Sequence, residues 1–164
     1  MNILGKIFSV TLTAKANIYG SIIVPILFME TALSTKPTVL VVDDDEDMLI
    51  MMQHLLMAEG YVPLISPNAQ NAMEIVHWRS PAMVLLDLRM IGVDGGDICH
   101  QIKSDPATAY IPVIILSANH NIETIAKQCG ADAYLTKPFS IDKFREVFHQ
   151  LISKKNHSSS ADQY

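Results

Sequence analysis

Four short apolar runs each stop on a polar residue, and this pattern constrains the fold more than any other feature of the chain. Val39-Leu40-Val41-Val42 runs into Asp43-Asp44, Met83-Val84-Leu85-Leu86 into Asp87, Val113-Ile114-Ile115-Leu116 into Ser117, and Ala133-Tyr134-Leu135-Thr136 into Lys137. Apolar runs of this length, separated by stretches with helical spacing, read as buried strands of a parallel sheet. The carboxyl ends of such strands lie side by side, so three carboxylates, a hydroxyl and an amine are directed to one crevice.

The intervening segments supply helices. Met48, Met52, Leu55 and Leu56 recur at helical spacing, and Gly60 offers a stop. Tyr61 to Ile65 reads as a further strand, which Pro63 assigns to a sheet edge because it cannot donate to a ladder. Ser66-Pro67 predicts a cap and first-turn proline before a helix carrying Ala69, Ala72, Met73 and Val76 on one face. A loop from Leu88 to Gly96 leads into a helix ending near Ser104, and Pro112 precedes the next strand. Asn121 to Cys129 forms a short helix closed by Gly130, and Ser140 caps a last helix that buries Phe144, Val147, Phe148, Leu151 and Ile152. Five strand–helix units with an edge-type second strand give a doubly wound α/β sheet of order 2-1-3-4-5. Its first and third strands meet at the switch point where ligands bind.

The site chemistry follows from charge. Two carboxylates about 4 Å apart repel by roughly 4 kcal/mol at an effective dielectric of 20, so Asp43, Asp44 and Asp87 together call for a cation. Oxygen donors with few direct carboxylates suit Mg²⁺. Such an ion would shield Asp87 from an incoming phosphoryl group, leaving its carboxylate able to act as a nucleophile. Ser117 can donate to a phosphoryl oxygen, and Lys137 adds a point charge. The acids Asp45, Glu46 and Asp47 have a plainer reading as a helix start. An EF-hand is excluded: counted from Asp43, Met48 falls at the glycine position and His54 at the final glutamate. His54, His77, His100, His120, His149 and His157 show no metal-binding spacing.

These residues resemble the receiver domain of two-component response regulators. The likeness is carried by Val-Val-Asp-Asp-Asp at 41–45, Leu-Leu-Asp-Leu-Arg-Met-Ile-Gly-Val-Asp-Gly at 85–95, Ile-Leu-Ser-Ala at 115–118 and Tyr-Leu-Thr-Lys-Pro-Phe at 134–139. It spans Thr38 to Ser153 in order and spacing, and four ordered motifs are specific where one would be weak. The resemblance implies a flavodoxin-like fold with Asp87 as phosphoacceptor and Mg²⁺ held by Asp43, Asp44, Asp87 and the Arg89 main-chain carbonyl. It further implies that Ser117 and Lys137 contact the phosphoryl group and that Ser117 and Tyr134 form the switch. Ile91 departs from the pattern, standing where many members have proline; the expectation is a looser loop with no effect on the chemistry.

The domain boundaries expected are an N-terminal extension over 1–36, a receiver domain over 37–153 and a disordered tail over 154–164. The longest apolar stretch of the extension, Ile18 to Met29, has 12 residues and contains Pro25. A membrane span needs roughly 20. A formal charge of -5 gives no support for a nucleic-acid surface. Cys99 and Cys129 are too few for a disulfide scaffold and point to a reducing, cytoplasmic setting. The expected partners are a histidine kinase or phosphotransfer protein and a downstream effector, since no output domain fits after Ser153. Two other classes stay open. A receiver-like module could bind partners without phosphorylation. A haloacid-dehalogenase-type phosphohydrolase would need a second acid two residues on, where Asp87 is followed by Arg89, although Asp43 and Asp45 have that spacing.

Overall fold

The computed structural model describes residues 36–161, with side chains through Lys154. The chain divides between Lys36 and Pro37, and the unit from Pro37 onward carries every described strand and helix. The extension expected over 1–36 lies, but for Lys36, outside the described residues. In chain order the elements are β1 (Thr38–Val42), α1 (Glu46–Ala58), β2 (Val62–Ser66), α2 (Ala72–Arg79), β3 (Met83–Asp87), β4 (Arg89–Met90), β5 (Val93–Asp94), α3 (Gly95–Ser104), β6 (Val113–Ser117), α4 (Ile122–Cys129), β7 (Ala133–Thr136) and α5 (Ile141–Ala161).

The four apolar runs are strands, and β2 completes a parallel sheet of order β2-β1-β3-β6-β7. This is the flavodoxin-like doubly wound order expected from the sequence, with β4 and β5 set apart as an antiparallel hairpin that the sequence reading did not anticipate. Successive strand residues face opposite sides of the sheet, so each run feeds two cores. Leu40, Val42, Val84, Leu86, Val113 and Ile115 pack with Val76 of α2, Ile98 and Ile102 of α3 and Ile122 of α4. Val39, Val41, Met83, Leu85, Ile114 and Leu116 pack with Leu49, Met52 and Leu56 of α1 and Phe144 and Phe148 of α5.

Local chemistry sets most of the boundaries as expected. Gly60 (φ 87) and Gly130 (φ 78) turn the chain through the left-handed region after α1 and α4. The Ser140 hydroxyl accepts from Lys143 N at 3.2 Å at the start of α5. Pro63 lies on the edge strand β2. Ser66 corrects one expectation: it does not cap α2 but ends β2, paired with Val42, and its hydroxyl donates to the Asn68 carbonyl at 2.7 Å. The actual N-cap of α2 is Asn71. The last helix runs through Ala161, into the segment 154–164 expected as a disordered tail; neither glycine nor proline occurs between Ile141 and Ala161 to end it. No described helix is long and apolar enough to cross a membrane.

Candidate functional site

β1 and β3 are neighbours with Val42 opposite Leu86, so Asp43 and Asp87 emerge together at the switch point. Both are buried, at 1% and 6% exposure. Lys137 follows β7, and its N–H donates to the Ser117 carbonyl at 2.8 Å. Its Nζ bridges the two acids, 2.7 Å from Asp43 Oδ2 and 2.7 Å from Asp87 Oδ1. The remaining oxygens accept backbone N–H groups: Asp43 Oδ1 from Asp45 at 3.0 Å and Asp87 Oδ2 from Arg89 at 2.7 Å. Asp44 is exposed, and its Oδ2 accepts from Ile91 N at 3.0 Å. Ser117 is buried, its hydroxyl accepting from Asn119 N at 3.1 Å. Gly95 lets α3 start directly against β3, because a Cβ there would collide with the Asp87 main chain.

The electrostatics are strained. Burial pushes the Asp43 carboxyl above its ordinary value of 3.8, and the charge of Asp87 adds to this against the Lys137 hydrogen bond. Burial works against the Lys137 ammonium, yet its bonds to Asp43 and Asp87 hold its pKa above 10.5. Asp43, Asp44 and Asp87 each place one carboxylate oxygen within 4.8 Å of the others. The crevice has a volume of about 530 Å³ and is lined by four acids, Asp43, Asp44, Asp45 and Asp87, against the two cations Arg89 and Lys137. All-oxygen donors with excess negative charge fit a hard divalent cation such as Mg²⁺.

Asp43, Asp44, Asp87, Arg89, Ser117 and Lys137, singled out in the sequence, share this crevice. Tyr134 does not line it; this residue sits on β7 opposite Ile115, 38% exposed. Ala118 and His120 line the crevice without having been expected there. Their signal was position alone, immediately after the strand-ending Ser117. Asp45, which with Asp43 has the spacing of a phosphohydrolase pair, also lines the crevice, while its Oδ1 caps α1 by accepting from Asp47 N and Met48 N at 3.0 and 3.2 Å. The Ile91 amide, at the position where the motif has proline, donates to Asp44, a contact that the sequence pattern does not announce.

A doubly wound sheet with an acidic crevice and a bridging lysine at its switch point defines the class of protein. Residues 39–149 match the model described as response regulator receiver domain, and the chain belongs to that family, which acts in two-component signalling. It is 32% identical over 120 residues to sporulation initiation phosphotransferase F of Bacillus subtilis, covering 72% of this chain and 95% of that protein. It is also 30% identical over 122 residues to histidine kinase P4 of Formosa agariphila, covering 73% of this chain but only 9% of that protein. The chain spans about half the length of other curated relatives it matches. A response regulator receiver domain protein from Methanospirillum hungatei has the same fold, with a TM-score of 0.69 at 20% identity, over 76% of this chain and 99% of that one.

Proposed function

We propose that the chain takes a phosphoryl group from a histidine kinase or phosphotransfer protein onto Asp87 and signals through a protein partner. The observation that carries this reading is the placement of Asp87: 6% exposed, at the end of β3, its Oδ1 held by Lys137 and its environment opening onto the acidic crevice. An Asp87 oxygen forms the new P–O bond as the P–N bond of a phosphohistidine breaks and the imidazole leaves. Asp43, Asp44, Asp87 and the Arg89 main-chain carbonyl would hold Mg²⁺, which when bound offsets the charge of the acids and of the transferring phosphoryl group. Lys137 and the Ser117 hydroxyl meet the remaining phosphoryl oxygens. Reorientation of Ser117 and Tyr134 then alters the surface of α4, β7 and α5, where a downstream effector binds. The setting is cytoplasmic, with neither nucleic acid nor membrane as a direct ligand.

The test is labelling with a small acyl phosphate in the presence of Mg²⁺. Wild type gains one phosphoryl group, and Asp87→Asn gains none while keeping its circular dichroism. Labelling that persists on another residue overturns the assignment. A wild type that never labels favours a module that binds partners without phosphorylation.

A further inference from the structure

We propose that the main-chain N–H of Ile91 is the positioning group for Asp44, orienting its carboxylate before a cation arrives; this rests on the metal role proposed above for Asp44. The three acids each accept one backbone N–H, but they are fixed by different means. Asp43 and Asp87 take theirs from residues two positions on, are buried, and share the Lys137 ammonium. Asp44 is exposed, and the amide that holds it comes from 47 residues away in sequence. Burial therefore does not set its orientation, and the Ile91 bond does.

The donor is itself held in place. Ile91 and Gly92 form the two-residue tip between β4 and β5, where Met90 pairs with Val93 and Gly92 adopts φ 77. The Ile91 side chain is 94% exposed, so the amide and not the side chain does the positioning. A carboxylate has about four acceptor directions on its two oxygens, so Oδ2 can keep the amide while the group still faces the other acids. Fixing the rotamer in advance removes an entropic cost that would otherwise fall on binding. Proline, which stands at this position in the motif that the sequence departs from, has no N–H and cannot make the bond.

Mg²⁺ titration of the full chain by calorimetry separates the possibilities. Ile91→Pro should weaken binding by about threefold to tenfold. Ile91→Ala, which keeps the amide, should bind as wild type does. Equal affinity of Ile91→Pro and wild type, or equal weakening of both variants, overturns the proposal. Should Ile91→Pro fail to fold, exchange of the Ile91 amide in wild type decides: slower exchange with Mg²⁺ supports a retained bond, and faster exchange shows that the ion displaces it. Asp44→Ala tells the two levels apart. If it binds Mg²⁺ like wild type, the metal role of Asp44 falls and the inference with it; if it loses binding while Ile91→Pro does not, only the positioning role falls.

Discussion

Two half-buried lysines occupy opposite ends of the sheet, and their surroundings differ in one respect. Lys103 and Lys137 have similar side-chain exposure, 17% and 18%. Lys103, on α3, donates to the Ala109 carbonyl at 2.8 Å, the Ile111 carbonyl at 3.1 Å and Asp132 Oδ2 at 3.0 Å. Asp132 Oδ2 also accepts from Val113 N at 2.8 Å, so the cluster ties α3, the loop before β6 and the segment before β7 with one positive and one negative charge. Lys137 instead sits among acids that outnumber the cations of its crevice. Balanced charge makes a staple; imbalance leaves free energy that a ligand can release. The contrast makes substitutions at the two ends differ in size, in response to Mg²⁺ and finally in sign.

The largest effect belongs to the balanced end. Lys103→Met removes three hydrogen bonds and leaves Asp132 without its ion-pair partner. A loss of about 1–2 kcal/mol is expected in urea unfolding, mainly from the part-buried Ala109 and Ile111 carbonyls that lose their donor, since Asp132 is exposed and solvent screens its ion pair. The loss should be the same with and without Mg²⁺. A variant within about 0.5 kcal/mol of wild type would mean that these bonds are replaced by water at no cost.

A smaller effect, in its pH dependence, marks the crevice. Burial raises the Asp43 pKa above 3.8, so the folded state holds that proton more tightly than the unfolded chain does. Between 3.8 and the raised value the folded state binds more protons. The stability contributed by Asp43 is therefore full below 3.8 and is lost as pH rises through its folded pKa. Asp43→Asn should remove that loss: ion-free, its stability relative to wild type should climb from pH 4 upward and then level off. A pH-independent difference would show that Lys137 fully compensates Asp43 in the folded state. Lys137 has the complementary sign, stabilising up to its ordinary value of 10.5 and losing that contribution only as pH rises through its raised one.

The sequence made the imbalanced end legible and hid the balanced one, for a physical reason. Asp87 and Ser117 end strands and Asp43 and Lys137 immediately follow them, so once the four apolar runs are read as parallel, sheet geometry alone brings the residues together. The fold was legible on the same ground. Lys103 and Asp132 sit 29 residues apart, neither at the carboxyl end of a strand, and their meeting depends on how α3 packs beside the start of β7, which no spacing rule encodes. Ser66 misled because a serine before a proline satisfies the capping pattern as well as it ends a strand; pairing with Val42 decided between them. The Ile91 contact was hidden because a departure from a motif reads as the loss of a rigid residue, and the N–H that comes with it counts only once its partner Asp44 is placed.

The smallest effect is the one whose sign most sharply separates the two ends. Asp132→Ala should destabilise, since it strips the staple of its only carboxylate and leaves Lys103 and the Val113 amide without that acceptor. Asp44→Ala removes an acid from a site with too many, but it also gives up the Ile91 hydrogen bond. Asp44 is exposed, so solvent screens the repulsion that is relieved. The net result should be a gain in ion-free stability of less than about 1 kcal/mol, seen as a melting midpoint at or slightly above that of wild type. On the proposed metal role, Mg²⁺ would bind the folded carboxylates and not the unfolded chain, so it should raise the midpoint of wild type and the same variant should lose most of that rise. A variant less stable than wild type without the ion would put the hydrogen bond above the repulsion; an undiminished Mg²⁺ response would remove Asp44 from the metal set.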